Sequence, residues 1–158
     1  MAVDWRTINR AELEPKFCED VDFLLSGLPD LWVVTEGYRT MRRSNDLFIA
    51  YRLQGGPRAA PGGLSPHNYG YAIDVALDGD PIKPGLQAIW DVKNPAWLRL
   101  VAAIWKHPRL RSGRWYSDWP HIERLNWKDY VAWRHNYEDN VRYLNSIAGL
   151  SKYLPNAA

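Results

Sequence analysis

Residues 54–66 (QGGPRAAPGGLSP) hold four Gly and three Pro in thirteen positions, a density of breakers that no helix or strand tolerates. The segment has to be a loop, and loops positioned by rigid elements often carry sites. Directly behind it comes YGYAIDVAL (residues 69–77), an apolar run with one acid, Asp74. On a strand, Ala72, Asp74 and Ala76 point one way and Ile73, Val75 and Leu77 the other. A carboxylate on an apolar strand is costly unless a charge or hydrogen-bond donors offset it.

The remaining elements follow from periodicity and punctuation. Residues 9–28 read as one helix, with Leu13, Phe17, Val21, Phe23, Leu24 and Leu25 near helical spacing and Gly27 and Pro29 as the stop. LWVVT (31–35) is a short buried strand. Thr40 caps a helix running to about Leu53. Asn94-Pro95 opens a helix to about His107, with Trp97, Leu98, Val101, Ile104 and Trp105 as its apolar face, and Pro108 stops it. Residues 114–116 and 120–125 read as short strands around a bend, and Asn126 caps a last helix from Trp127 to about Ser146. There is no internal repeat and no clear linker, so the 158 residues form a single domain.

Composition excludes several classes. A net charge of +2 without a Lys/Arg run argues against a nucleic-acid partner. No apolar run approaches the roughly 20 residues needed to cross a bilayer, so no membrane insertion is expected. The N-terminal MAVDWRTINRAELEPKF has no basic segment followed by an apolar stretch, so synthesis in the cytoplasm without a Sec signal is expected. Cys18 is the single cysteine, which rules out an internal disulfide and leaves His and carboxylates to make any metal site.

Two stretches carry those residue types. Ser65-Pro66-His67-Asn68-Tyr69-Gly70-Tyr71-Ala72-Ile73-Asp74 places a histidine at the loop's end and the strand aspartate seven residues on. Ser117-Asp118-Trp119-Pro120-His121-Ile122-Glu123 places a second histidine among apolar neighbours with an acid three residues before it. Two His and one Asp match the three-ligand sets of catalytic zinc sites, which keep a fourth position open. Taken singly, each residue also has an ordinary reading: loop histidines and a hydrogen-bonded strand acid. Spacing leaves both open. His107 and His135 read as structural.

The ordered pattern Ser65-x-His67-x-x-Gly70-x-Ala72-x-Asp74, then Asp118-x-x-His121-x-Glu123, resembles the zinc D-Ala-D-Ala carboxypeptidase and L-alanyl-D-glutamate peptidase superfamily. Gly37-Tyr38-Arg39-Thr40, with Arg43 after it, looks like that family's Gly-Tyr-Arg-Ser/Thr element. The three motifs cover residues 35–124. The resemblance implies an α+β fold, hedgehog/DD-peptidase-like, with helices packed on a mostly antiparallel sheet that carries one zinc ion per chain.

It also implies residue roles. His67, Asp74 and His121 match the zinc ligands, Asp118 the general base, Arg39 a catalytic and substrate-binding arginine, and Ser65 a position near the substrate. The base is often Glu in the dipeptidase branch; Asp118 fits the phage endolysin-like branch better, and Glu123 is the second candidate for the base. The implied substrate is the stem peptide of bacterial peptidoglycan, cut at L-alanyl-D-glutamate by a monomer that reaches the wall after release. The alternatives are a D-Ala-D-Ala carboxypeptidase and a non-catalytic, zinc-containing wall-binding module. The Trp- and Tyr-rich stretch 126–150 matches no motif and reads as a packing helix or a wall-contacting surface.

Overall fold

A computed structural model describes residues 3–6 and 8–155. The single-domain span 1–158 expected from sequence includes Met1, Ala2, Thr7 and residues 156–158, which lie outside the described residues. The described residues form an α+β fold of four α-helices and a five-stranded sheet. The strands are β1 (Trp32–Glu36), β2 (Ala72–Asp78), β3 (Ala88–Ile89), β4 (Leu110–Ser112) and β5 (His121–Arg124). Their order is β1-β2-β5-β4, with β3 pairing with β2 and every pairing antiparallel. Among the described residues no helix is long and apolar enough to cross a membrane.

The sheet has one heavy and one light face. Trp32, Val34, Ile73, Val75, Leu77 and Ile122 meet α1 (Pro15–Ser26) and α3 (Pro95–Lys106) in the main core. On the other face β2 offers Ala72, Asp74, Ala76 and Asp78. Register places His121 opposite Asp74 and Glu123 opposite Ala72, so these polar groups share that light face.

Two helices of the main core differ from the sequence reading. The stretch expected to be one helix over 9–28 is a 3₁₀ turn, Arg10–Glu12, followed by α1. Pro15 restricts Glu14 to extended backbone, and the Glu14 carboxylate then caps α1 by accepting from the Lys16 and Phe17 N–H groups. Phe23 is exposed because it lies about 200° around the helix from Val21. In α3, Asn94 caps as expected and Trp97, Val101 and Ile104 are buried, but Leu98 and Trp105 are exposed on the flank of that stripe.

A smaller core joins α2 (Met41–Leu53) to the C-terminal segment. Phe48 meets Val141 and Leu144 of α4 (Trp133–Asn145), together with Leu150 and Leu154. The expected helix from Trp127 is interrupted. Trp127–Tyr130 is a 3₁₀ turn, Asn126 is left-handed and makes no side-chain cap, and Val131 is extended before α4 begins. The segment pins the Gly/Pro loop from outside. Asn140 accepts from Asn45, Asn45 accepts from the Gly62 N–H, and the Tyr69 hydroxyl, which accepts from Asn136, donates to the Gly63 carbonyl.

Candidate metal centre

His67 enters from a 3₁₀ turn, Pro66–Tyr69, that ends at Gly70. Gly70 is left-handed (φ 73°), and a Cβ there would lie 2.7 Å from the Glu12 carbonyl oxygen, so glycine meets both a conformational and a spatial demand. The strand therefore starts at Ala72, three residues later than the run from 69 suggests. The Gly37–Thr40 segment clamps the turn. The Arg39 N–H donates to the His67 carbonyl (3.0 Å), and Asn68 Nδ2 donates to the Arg39 carbonyl (2.9 Å) and to Ser44 Oγ. Asn68 Oδ1 accepts from the Gly63 N–H.

The bend before β5 also departs from expectation. Residues 114–116 are not a strand. Ser112 ends β4 and caps a 3₁₀ turn, Gly113–Tyr116, by accepting from the Arg114 N–H. Ser117 is left-handed (φ 65°) and turns the chain back, so the Asp118 N–H donates to the Gly113 carbonyl and the His121 N–H to the Asp118 carbonyl. That hairpin sets Asp118 beside the start of β5.

Three side chains converge on the light face. His121 Nδ1 lies 3.2 Å from Asp74 Oδ1 and 3.2 Å from His67 Nε2, and His67 Nε2 lies 3.5 Å from Asp74 Oδ1. One donor atom from each falls within 4.8 Å of the others, and both histidines are buried. The far nitrogen of each ring is engaged: His67 Nδ1 donates to the Gly37 carbonyl (2.7 Å), and His121 Nε2 lies 2.8 Å from Glu123 Oε2.

Electrostatics set the charges within the cluster. Burial pushes Asp74 up, but hydrogen bonds from His121 and His67 outweigh it and hold the carboxyl well below the usual range. Burial pushes His121 down, but Asp74 and Glu123 overcome this and raise it to about 9. Two ring nitrogens and a carboxylate oxygen facing one point are satisfied by a shared proton or by a cation, and metal binding at such sites releases protons. Two imidazoles and a carboxylate suit zinc or a similar divalent ion.

The other expected residues are partly gathered here. Asp118 stands exposed at the rim. Desolvation by its surroundings and the charge of Asp74 push its carboxyl up, against His121, His67 and Arg39. Arg39 pairs through Nε with Glu36 Oε1 (2.7 Å), yet its side chain is only 11% exposed, so it is no surface arginine. Glu36 is opposite Asp74 in register, past an irregularity in β1, which sets the pair beside the site. Ser65 is buried; its carbonyl accepts from the Asn68 N–H, and its side chain makes no cap. Arg43 is exposed, with its N–H capped by Thr40. Glu123 sits behind the His121 ring with both oxygens engaged, one by His121 and one by Arg111, a poor place for a base. Sequence reasoning missed the partners Gly37, Asn68 and Arg111. Of these only Asn68 left a side-chain signal, a polar residue inside the motif.

No family model matches the chain. Over 104 residues it is 33% identical to the peptidoglycan L-alanyl-D-glutamate endopeptidase CwlK of Bacillus subtilis, covering 59% of this chain and 60% of that protein. The match thus spans less than two thirds of the relative's length. Among solved structures, the fold is similar to the L-Ala D-Glu endopeptidase ChiX of Serratia marcescens (TM-score 0.54, 21% identity, 78% of this chain and 88% of that one). It is also similar to a variant of the vancomycin-resistance D,D-pentapeptidase VanY, from a VanB-type cassette, in complex with Zn(II) (TM-score 0.51, 14% identity, 85% and 89%). The chain is thus similar in sequence, over part of its length, to a peptidoglycan L-alanyl-D-glutamate endopeptidase, and its fold is similar to those of ChiX and VanY.

Proposed function

We propose that residues 1–158 form one zinc-dependent peptidase domain that cuts the stem peptide of bacterial peptidoglycan at the L-alanyl-D-glutamate bond, as a phage endolysin. The observation that carries this reading is the convergence of His67 Nε2, His121 Nδ1 and Asp74 Oδ1, with Asp118 and Arg39 beside them. Those three atoms would hold the ion. Lewis acidity from a bound ion brings the pKa of water down to about 7 and polarises a carbonyl. Asp118 takes the proton from the attacking water and returns it to the leaving amine, and its raised pKa suits a group that must do both. Arg39, fixed at Nε by Glu36, offers its remaining N–H groups to the carbonyl oxygen as charge develops there. Ser65, buried at the N-terminal end of the turn that carries His67, is assigned to the substrate side.

The likeness to CwlK supports the choice of bond. The test is product analysis after incubating purified peptidoglycan with the zinc-loaded protein. New amino-terminal D-glutamate is expected. Free D-alanine would assign a carboxypeptidase instead, and wall binding with no product would assign a binding module. For the endolysin role, cytoplasmic expression should lyse cells only when the inner membrane is permeabilised by another factor. Lysis without permeabilisation would overturn that part.

A further inference from the structure

Both metal-facing histidines must present a bare nitrogen, and each has a device that forces the proton to the other one. For His67 the device is the Gly37 carbonyl, which can only accept, so Nδ1 carries the hydrogen. For His121 we propose that it is Glu123, braced from behind by Arg111, and that Glu123 is a positioning residue for the metal rather than a base. The inference rests on the zinc reading above.

Glu123 is 2% exposed, and Oε2 lies 2.8 Å from His121 Nε2. An ionised carboxylate only accepts, so Nε2 carries the hydrogen and Nδ1, which faces Asp74 and His67, is the nitrogen that would give up its proton to a metal. A buried carboxylate needs a second partner to stay charged. Arg111 supplies it from β4, where it is opposite Glu123 in register. Arg111 Nε donates to Glu123 Oε1 at 2.8 Å, and Nη2 reaches the same oxygen. The result is a chain of Arg111, Glu123 and His121 running along the light face, with only His121 at the metal position. Two-residue spacing on β5 puts histidine and glutamate on one face, and the β4 register puts the arginine behind them. The carboxylate also makes His121 a stronger donor than a neutral carbonyl would.

Zinc affinity, read by competition with a chelator, tests this together with the melting temperature of the metal-free protein. Glu123→Ala is expected to weaken zinc binding by about 10- to 100-fold. Glu123→Gln, which keeps the volume and an acceptor but not the charge, should fall between it and the parent. If Glu123 merely balances Arg111, Glu123→Ala lowers the metal-free melting temperature and leaves zinc affinity within about 3-fold of the parent, a span well below the usual loss for such partners; that result overturns the inference. Should Glu123→Ala fail to fold, Arg111→Met decides: weaker zinc binding is expected, and unchanged affinity overturns it. A parent protein that binds no zinc overturns the metal reading itself, which separates the two failures.

Discussion

His67, Asp74 and His121 are held by paired strands and buried hydrogen bonds, whereas Asp118 and Arg39 stand on irregular backbone at the edge. Asp74 and His121 face each other across β2 and β5, and His67 hangs from a turn tied to the Gly37–Thr40 segment at several points. Asp118 follows a left-handed serine and is exposed; Arg39 sits between β1 and α2, its backbone tied to the His67 turn and its side chain held at Nε by one glutamate. Under the proposed function the contrast follows from the demands on each part. A metal site tolerates little error in ligand position, so its floor belongs on the sheet. Groups that meet a substrate and move a proton need room to adjust, so they belong where backbone can give.

The largest effect should come from removing a floor ligand. His67→Ala and His121→Ala are expected to lose bound zinc and, with it, all measurable peptidase activity, because two protein ligands do not hold a catalytic ion. Metal analysis of the purified variants checks this. Full zinc content in either variant would mean that the metal sits elsewhere and that the buried floor serves packing alone.

Next comes the rim acid. Asp118→Asn should lower kcat by about 10²- to 10⁴-fold, the usual worth of a positioned proton carrier, while zinc content and melting temperature stay at parent values. A variant that cleaves wall within a few-fold of the parent removes Asp118 as the base. With Glu123 engaged behind His121, proton transfer would then pass to solvent rather than to another carboxylate of this site.

The floor was more legible in sequence than the rim, for a physical reason. A carboxylate among Ala72, Ile73 and Val75 violates the burial rule, so Asp74 drew attention by itself, and strand alternation placed it correctly. The rim depends on features that leave weak traces. Arg114, Trp115 and Tyr116 look like strand residues, yet Ser112 capping and a left-handed Ser117 make them a 3₁₀ turn, and that turn is what delivers Asp118. The Gly37 carbonyl that sets His67 has no side chain to read. Alternation gave the face of Glu123 but not its role, because the register with Arg111 is a tertiary fact. Exposed Phe23 and Trp105 show the same limit on helices, where spacing suggested a wider apolar face than the core uses.

Arg39 probes whether the rim recognises shape as well as charge. Arg39→Lys is expected to lower kcat by about 10²-fold, nearly as much as Arg39→Ala, because an ammonium cannot hold Glu36 through one nitrogen and a carbonyl through others. Zinc content should not change. Parent-like kcat and KM for the lysine variant would reduce Arg39 to an ordinary ion pair with Glu36 and take it off the rim.

The smallest effect gives the sharpest comparison, because one atom would press on both parts at once. A Cβ at Gly113 would lie 2.4 Å from the Asp118 carbonyl oxygen, 2.7 Å from His121 Cβ and 3.2 Å from Asp118 Cβ. Gly113 is not among the glycines with positive φ, so alanine is excluded by space rather than by backbone conformation. Something must move in Gly113→Ala. His121 is braced by its strand register with Asp74 and by Glu123, whereas Asp118 follows a turn and faces solvent. The rim should therefore yield. Displacing Asp118 by a fraction of an ångström is expected to lower kcat by about 10-fold, since misplacement of about 1 Å can cost 10²-fold. Zinc affinity should hold within about 3-fold, because the ligands stay put and lost ligand alignment typically costs 10-fold or more. Measuring both constants on the same preparation decides the matter. If zinc affinity falls in step with kcat, His121 has moved, and the floor is no stiffer than the rim.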